Sequence, residues 1–173
     1  GARAFADSLE QQPPVPMLWT SISGAIDYAL PWLDQNNFEG TRRVIDISGD
    51  GPNNSGDLVL PARDRAIAAG VTINGLPIMD QGFGAYSAYN IRNLDLYYRD
   101  CVIGGPGAFL IVAENFRDFA RAVRRKLILE IAGRTPPTEP PRARVMPAQA
   151  GADTRKSPPC NIGEQMLRYR GNY

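Results

Sequence analysis

The residues best placed to do chemistry in this chain are hydroxyls and carboxylates in two short runs. Thr20 stands ahead of Ser21-Ile22-Ser23, and Asp46, Ser48 and Asp50 fall within Arg-Arg-Val-Ile-Asp-Ile-Ser-Gly-Asp-Gly, followed by Asn53 and Asn54. The sequence contains 0 histidines, which excludes Ser-His-Asp and Cys-His catalysis within the chain and every zinc site that needs imidazole. A magnesium-dependent hydrolase using Asp46 or Asp50 is the lesser alternative, because the Asp-x-x-x-Asp spacing does not match a phosphotransfer loop and no histidine can serve as base. Each residue also has a plainer role. Thr20 suits a helix N-cap, and Asp50 suits a Gly-Asp-Gly turn. Asp46, inside a hydrophobic run, reads as a buried carboxylate in need of partners, and Asn53 and Asn54 suit the shaping of a loop.

Composition narrows the classes. With 43% hydrophobic and 21% charged residues, the chain is ordinary for a globular protein. No run approaches the roughly 18 apolar residues of a membrane span. The net charge of +1 is unevenly placed: residues 134–173 carry +4 and the first 133 carry −3. A basic tail on an acidic body suits docking to an acidic surface or to the body itself, whereas nucleic-acid binding needs a denser basic face with interleaved aromatics. Cys101 and Cys160 are too few for a metal cluster. They leave two readings open: a bridge between tail and body, or two unpaired thiols. A bridge fits a periplasmic or secreted protein. The first residue is Gly1, so the native N-terminus is expected to lie outside this sequence.

The elements that position these residues follow from periodicity. Residues 1–12 read as a helix end, broken by Pro13 to Pro16. Thr20 or Ser21 caps a helix whose stripe is Ile22, Ala25, Ile26, Ala29, Leu30 and Leu33, and Pro31 is expected to kink it or end its regular part. Val44 to Ile47 form a short buried strand running into the Gly-Asp-Gly loop. Residues 61–70 form a helix that stops at Gly70, and Val71 to Ile78 a second strand. A Gly- and Tyr-rich loop over 80–92 precedes a short helix capped by Asn93. Gly104 to Gly107 make a turn into a third strand, Ala108 to Ala113. The last helix starts near Asn115, with Phe116, Phe119, Ala120, Val123, Leu127 and Ile131 as its apolar face. Alternating strands and helices, with strands apolar throughout, predict a mostly parallel α/β sheet covered on both faces. Three strands are few for one, so part of the domain is expected to be missing. Residues 134–173 hold seven of the fifteen prolines and form a separate Pro-rich basic tail that must lie on its own body or on another subunit, the second being favoured.

Three blocks carry a resemblance: TSISGAIDYA, RRVIDISGDGPNN, and the pair AAGVTINGLPI and YYRDCVIGGPGAF. Together they are similar to an uncharacterised bacterial family with a von Willebrand factor type A-like domain, over nearly all of residues 1–133. The resemblance implies a doubly wound, Rossmann-like sheet, lacking its N-terminal strands, with a metal-ion-dependent adhesion site at the carboxyl ends of the strands. It implies Thr20 and Asp50 as two of that site's ligands, while the Asp-x-Ser-x-Ser element that would supply the others is absent. Asp46-Ile47-Ser48-Gly49-Asp50 mimics that element and makes Asp46 and Ser48 weaker candidates. Magnesium takes about six oxygens and keeps several waters, so a partner's acidic side chain can complete its shell. The implied function is a non-enzymatic protein-binding module using Mg2+ or another divalent cation, with Asn53 and Asn54 near the partner and a companion chain supplying the missing strands. A structural subunit without metal is the alternative.

Overall fold

A computed structural model of the chain describes residues 1–13, 19–79, 91–132, 145–147 and 155–170. The expected 80–92 loop lies almost wholly outside them.

Strands β1 (Val44–Gly49), β2 (Thr72–Pro77) and β3 (Phe109–Ile111) form a parallel sheet in that order, and β4 (Val145–Pro147) adds antiparallel to β3. This is an α/β architecture. One face carries the main core, where Ile45, Ile47, Ile73 and Leu110 pack against α2 (Ile22–Asp34), α3 (Val59–Ala68) and α4 (Leu94–Tyr97) with its π-helical continuation Tyr98–Val102. The other face is smaller: Leu76, Ile78, Ile111 and Ala113 meet Ala122 and Phe119 of α5 (Phe119–Ala132). Helix α1 (Ala2–Glu10) precedes these elements, and α6 (Ile162–Arg170) closes the described chain.

Strand β2 is buried on both faces, as expected for a strand without period-two alternation, with Asn74 as a buried polar residue in its middle. Strand β1 is different. Its burial alternates, with Ile45 and Ile47 inward and Asp46 and Ser48 outward, because β1 is the sheet's edge and little covers its second face. The expected short buried strand is therefore half-buried.

Helix α2 runs through Pro31 to Asp34, with Gln35 N–H donating to the Pro31 carbonyl at 3.0 Å. Pro31 is exposed, so the carbonyl its ring leaves without a donor stays within reach of water, and of the two outcomes expected, a kink or a stop, the helix does not stop. Asn93 does not cap α4. It adopts a left-handed φ of 58° and turns its amide to the Lys156 carbonyl at 3.1 Å. The largest departure is in α5, where Ala122 and Lys126 are buried while Phe116, Leu127 and Ile131 of the expected face are exposed, Ile131 at 83%. The helix has turned its 119-122-123-126 stripe inward because the face it covers is narrow and partly polar.

Close approach at the sheet centre requires glycine at 75. A Cβ there would stand 2.9 Å from Ile103 Cγ2 and 3.1 Å from Tyr98 Cδ1. Gly75→Ala is expected to cost about 1–3 kcal/mol by overpacking. Urea unfolding measures it, and an unchanged midpoint would show that the packing there is looser than described.

Candidate functional site at the carboxyl edge of the sheet

Ser21, not Thr20, caps α2: its Oγ accepts from Gly24 N–H at 3.2 Å. Thr20 is thereby left for another purpose. Its backbone is clamped on both sides by the 50–54 loop. Thr20 N–H donates to Asn54 Oδ1 at 2.6 Å, and the Thr20 carbonyl accepts from Asn54 N–H at 2.8 Å and Ser55 N–H at 3.1 Å. A Cβ on Gly51 would lie 3.7 Å from Thr20 Oγ1, so the hydroxyl faces the residue next to Asp50. Asp50 itself is exposed and makes no hydrogen bond or salt bridge with a described residue. The two residues 30 positions apart in sequence are thus brought to one rim, at the carboxyl end of β1, where open α/β sheets place ligands.

Asn53 and Asn54 build this rim from below. Both are buried, with Asn53 fully so. Asn53 Oδ1 accepts from Ser23 N–H at 3.0 Å, and its Nδ2 donates to the Asp57 carbonyl at 3.0 Å and to Glu164 Oε1 at 2.6 Å. Their amides are engaged inside the molecule and leave little surface to offer a partner. The hydrogen bonds describe the loop-shaping role.

Beneath the rim sit two buried tyrosines. Tyr97 Oη accepts from Asn53 N–H at 3.1 Å and donates to the Cys160 carbonyl at 3.4 Å. Burial pushes its pKa up to about 12. Tyr98 Oη lies 2.8 Å from where a Gly49 Cβ would be and has no hydrogen-bond partner among the described residues. Burial, with the charges of Tyr97 and Asp50 adding to it, raises its pKa as well.

Asp46 does not join the rim, whereas Ser48, exposed on the same face of β1, lies two residues from Asp50. β1 is extended through both, so Asp46 stands roughly 13 Å back along the strand from Asp50, too far for one ion. Asp46 is instead ion-paired with Lys126, whose side chain is 4% exposed and also bonds Glu130 at 2.7 Å. Asn74 Nδ2 donates to Glu130 Oε1 at 2.8 Å, and Phe109 N–H donates to Asn74 Oδ1 at 3.1 Å. Burial and the hydrogen bond with Glu130 raise the Asp46 pKa against the pull of Lys126. Burial acts on Glu130 too, but hydrogen bonds from Lys126, Asp46 and Asn74 outweigh it and hold its pKa low. This network ties three strands to α5. Its sequence signal was Lys126 itself, a lysine falling on the 119-122-123 stripe.

The family model for a protein of unknown function, DUF1194, matches residues 1–135. The chain belongs to this family. In this DUF1194 chain, Arg155–Arg170 lies beyond the matched residues yet packs on the matched body. The Cys101–Cys160 disulfide joins the two, with an Sγ–Sγ distance of 2.02 Å. For that stretch the body itself is the docking surface, and no second subunit is needed. No curated protein and no solved structure matches the chain.

The donor set for a resident metal can be tested on this geometry. Thr20 Oγ1 and the Asp50 carboxylate are accessible oxygens, but no group of three or more His, Cys, Asp or Glu that could hold an ion occurs among the described residues. Two donors leave a magnesium shell mostly water. The described residues by themselves do not fit a tightly held cation. No helix among the described residues is long and apolar enough to cross a membrane.

Proposed function

We propose that this chain is a non-enzymatic protein-binding module on a von Willebrand factor type A-like frame, with Thr20 and Asp50 forming half of an adhesion site. The observation carrying this reading is that β1 runs directly into Asp50 and is, among the described residues, an edge strand of the sheet. A companion strand laid parallel to β1 would end beside Asp50 and could deliver the remaining oxygen donors. Near that edge charged and apolar side chains are mixed, Arg42, Asp46 and Glu130 standing with Val44 and Ile131. The Asp27–Arg65 ion pair (2.6 Å) ties one side of α2 to α3, while Tyr28 and Trp32, about 100° and 140° round the helix from Asp27, are exposed. On the other face, a cleft of about 340 Å³ is lined by Val44, Asp46, Glu130 and exposed Ile131. Exposed apolar side chains and an edge strand without a second partner among the described residues suit a protein partner.

Asp46, one of the two carboxylates a hydrolase would use, is committed to Lys126, which favours binding over catalysis. Any divalent cation is shared between this chain and its companion in this reading. The disulfide supports a periplasmic or secreted location. The second reading, a structural subunit without metal, draws on the same open edge and on the shortage of donors.

The test is a thermal shift with millimolar magnesium, on residues 1–173 alone and on the protein isolated from its native source with whatever accompanies this chain. A ligand at a hundred times its Kd adds about 2.7 kcal/mol. The native assembly is therefore expected to gain several degrees in magnesium, and Asp50→Ala to abolish the gain, while residues 1–173 alone stay unchanged. An assembly indifferent to magnesium removes the metal and leaves the structural-subunit reading.

A further inference from the structure

We propose that the Cys101–Cys160 disulfide is a reducible latch that holds α6 against the Asn53–Asn54 loop, so that its opening loosens the loop clamping Thr20. The latch is a property of the fold and holds whether or not the rim binds a partner.

Three contacts tie α6 and its lead-in to the rim. Asn53 Nδ2 donates to Glu164 Oε1 at 2.6 Å. Tyr97 Oη bridges Asn53 N–H and the Cys160 carbonyl. Gly163 packs so closely on the loop that a Cβ there would stand 2.0 Å from the Asn53 carbonyl oxygen. Asn53 passes these contacts on to the Ser23 amide, and its neighbour Asn54 to the Thr20 amide. A helix of 9 residues has little stability of its own, so α6 persists through its attachment. The part upstream of Cys160 is held separately: Arg155 makes two bonds to buried Asp95, at 2.6 and 3.1 Å, and Asn93 holds the Lys156 carbonyl. Once the disulfide opens, residues 155–156 stay anchored and α6 swings away from them.

The sulfurs are unequally accessible, which fixes the order of events. Cys101 is fully buried, whereas Cys160 is half-buried and lines a cleft of about 340 Å³ with Leu58, Val59, Leu60 and Asn161. A dithiol reductant, small molecule or oxidoreductase, reaches Cys160 first. Its thiolate attacks Cys160 Sγ, the Sγ–Sγ bond breaks, and Cys101 leaves as a thiolate that takes a proton. The reductant's second thiol then displaces Cys160, which also leaves with a proton, and the dithiol departs oxidised by two electrons as its own disulfide.

Amide hydrogen exchange on residues 1–173, with and without dithiothreitol, tests the latch. On reduction, protection of the Ile162 and Gln165 amides in α6 and of Ser23, Asn53 and Asn54 at the rim is expected to fall by about tenfold or more, while Ile73 and Ile78 in the sheet keep theirs. Cys160→Ser should reproduce the reduced pattern without reductant. Gly163→Ala should loosen the same amides with the disulfide intact. Unchanged rim protection in the reduced wild-type protein would overturn the proposal. So would simultaneous loss at Ile73 and Ile78, because the bridge would then be a staple of the whole fold.

Discussion

Replacing Lys126 by methionine is expected to lower the stability of the fold by about 2–4 kcal/mol, somewhat below the usual range for breaking a buried pair because Asp46 is 41% exposed and partly hydrated. The ammonium pairs with both Asp46 and Glu130 on the thin face of the sheet. Methionine fills its volume, so the loss is electrostatic: two carboxyls are left facing each other with Asn74 as their remaining donor. For a chain of this size that corresponds to a drop in Tm of roughly 5–15 °C. Adding Asp46→Asn and Glu130→Gln to Lys126→Met should recover much of the loss, since replacing a whole buried network is far less costly than orphaning part of it. If Lys126→Met alone lies within about 0.5 kcal/mol of wild type by urea unfolding, α5 is held by its small apolar stripe and the network is incidental.

The second large effect is alkaline. Tyr97 and Tyr98 keep their protons in the folded state well above the value of an exposed phenol, Tyr97 to about 12 and Tyr98 further. A folded-state pKa above the unfolded one contributes stability that is complete below pH 10 and is lost as pH rises beyond it, because the unfolded chain releases protons first. Each tyrosine can contribute a slope of up to about 1.4 kcal/mol per pH unit between pH 10 and 12. Urea midpoints across that range should therefore fall steeply. Tyr98→Phe should roughly halve the slope and leave stability at neutral pH unchanged or improved, because the hydroxyl it removes has no partner among the described residues. Tyr97→Phe should flatten the slope too, but at a neutral-pH cost, since Asn53 N–H would lose its acceptor. A Tyr98→Phe protein with the full wild-type slope would show that its phenol is not sealed from water.

The two prolines, the two asparagines and the last helix show where reading the chain succeeds and where it stops. Pro61 sits in the first turn of α3 as its fixed φ predicts, while Pro31 stays inside α2 because only the fold places its missing donor toward solvent. Asn53 and Asn54 read as loop formers or partner contacts from type alone. Which they are depends on Ser23, Glu164 and Tyr97, residues up to 111 positions away. The α5 stripe was misread because Phe116, Leu127 and Ile131 are as apolar as the residues that turned inward, and only the narrow polar face opposite, with Asp46 and Asn74 on it, selects Ala122 and Lys126.

By itself the sequence determined the alternation of strands and helices, the parallel sheet and the absence of imidazole chemistry, because these are local consequences of residue type and period. Tertiary structure alone decided that Thr20 and Asp50 share a rim, that Asp46 is spent on Lys126, that Cys101 and Cys160 join, and that residues 155–170 lie on the body. Each of these is a meeting of residues dozens of positions apart, and no local preference encodes which distant surface a side chain will find.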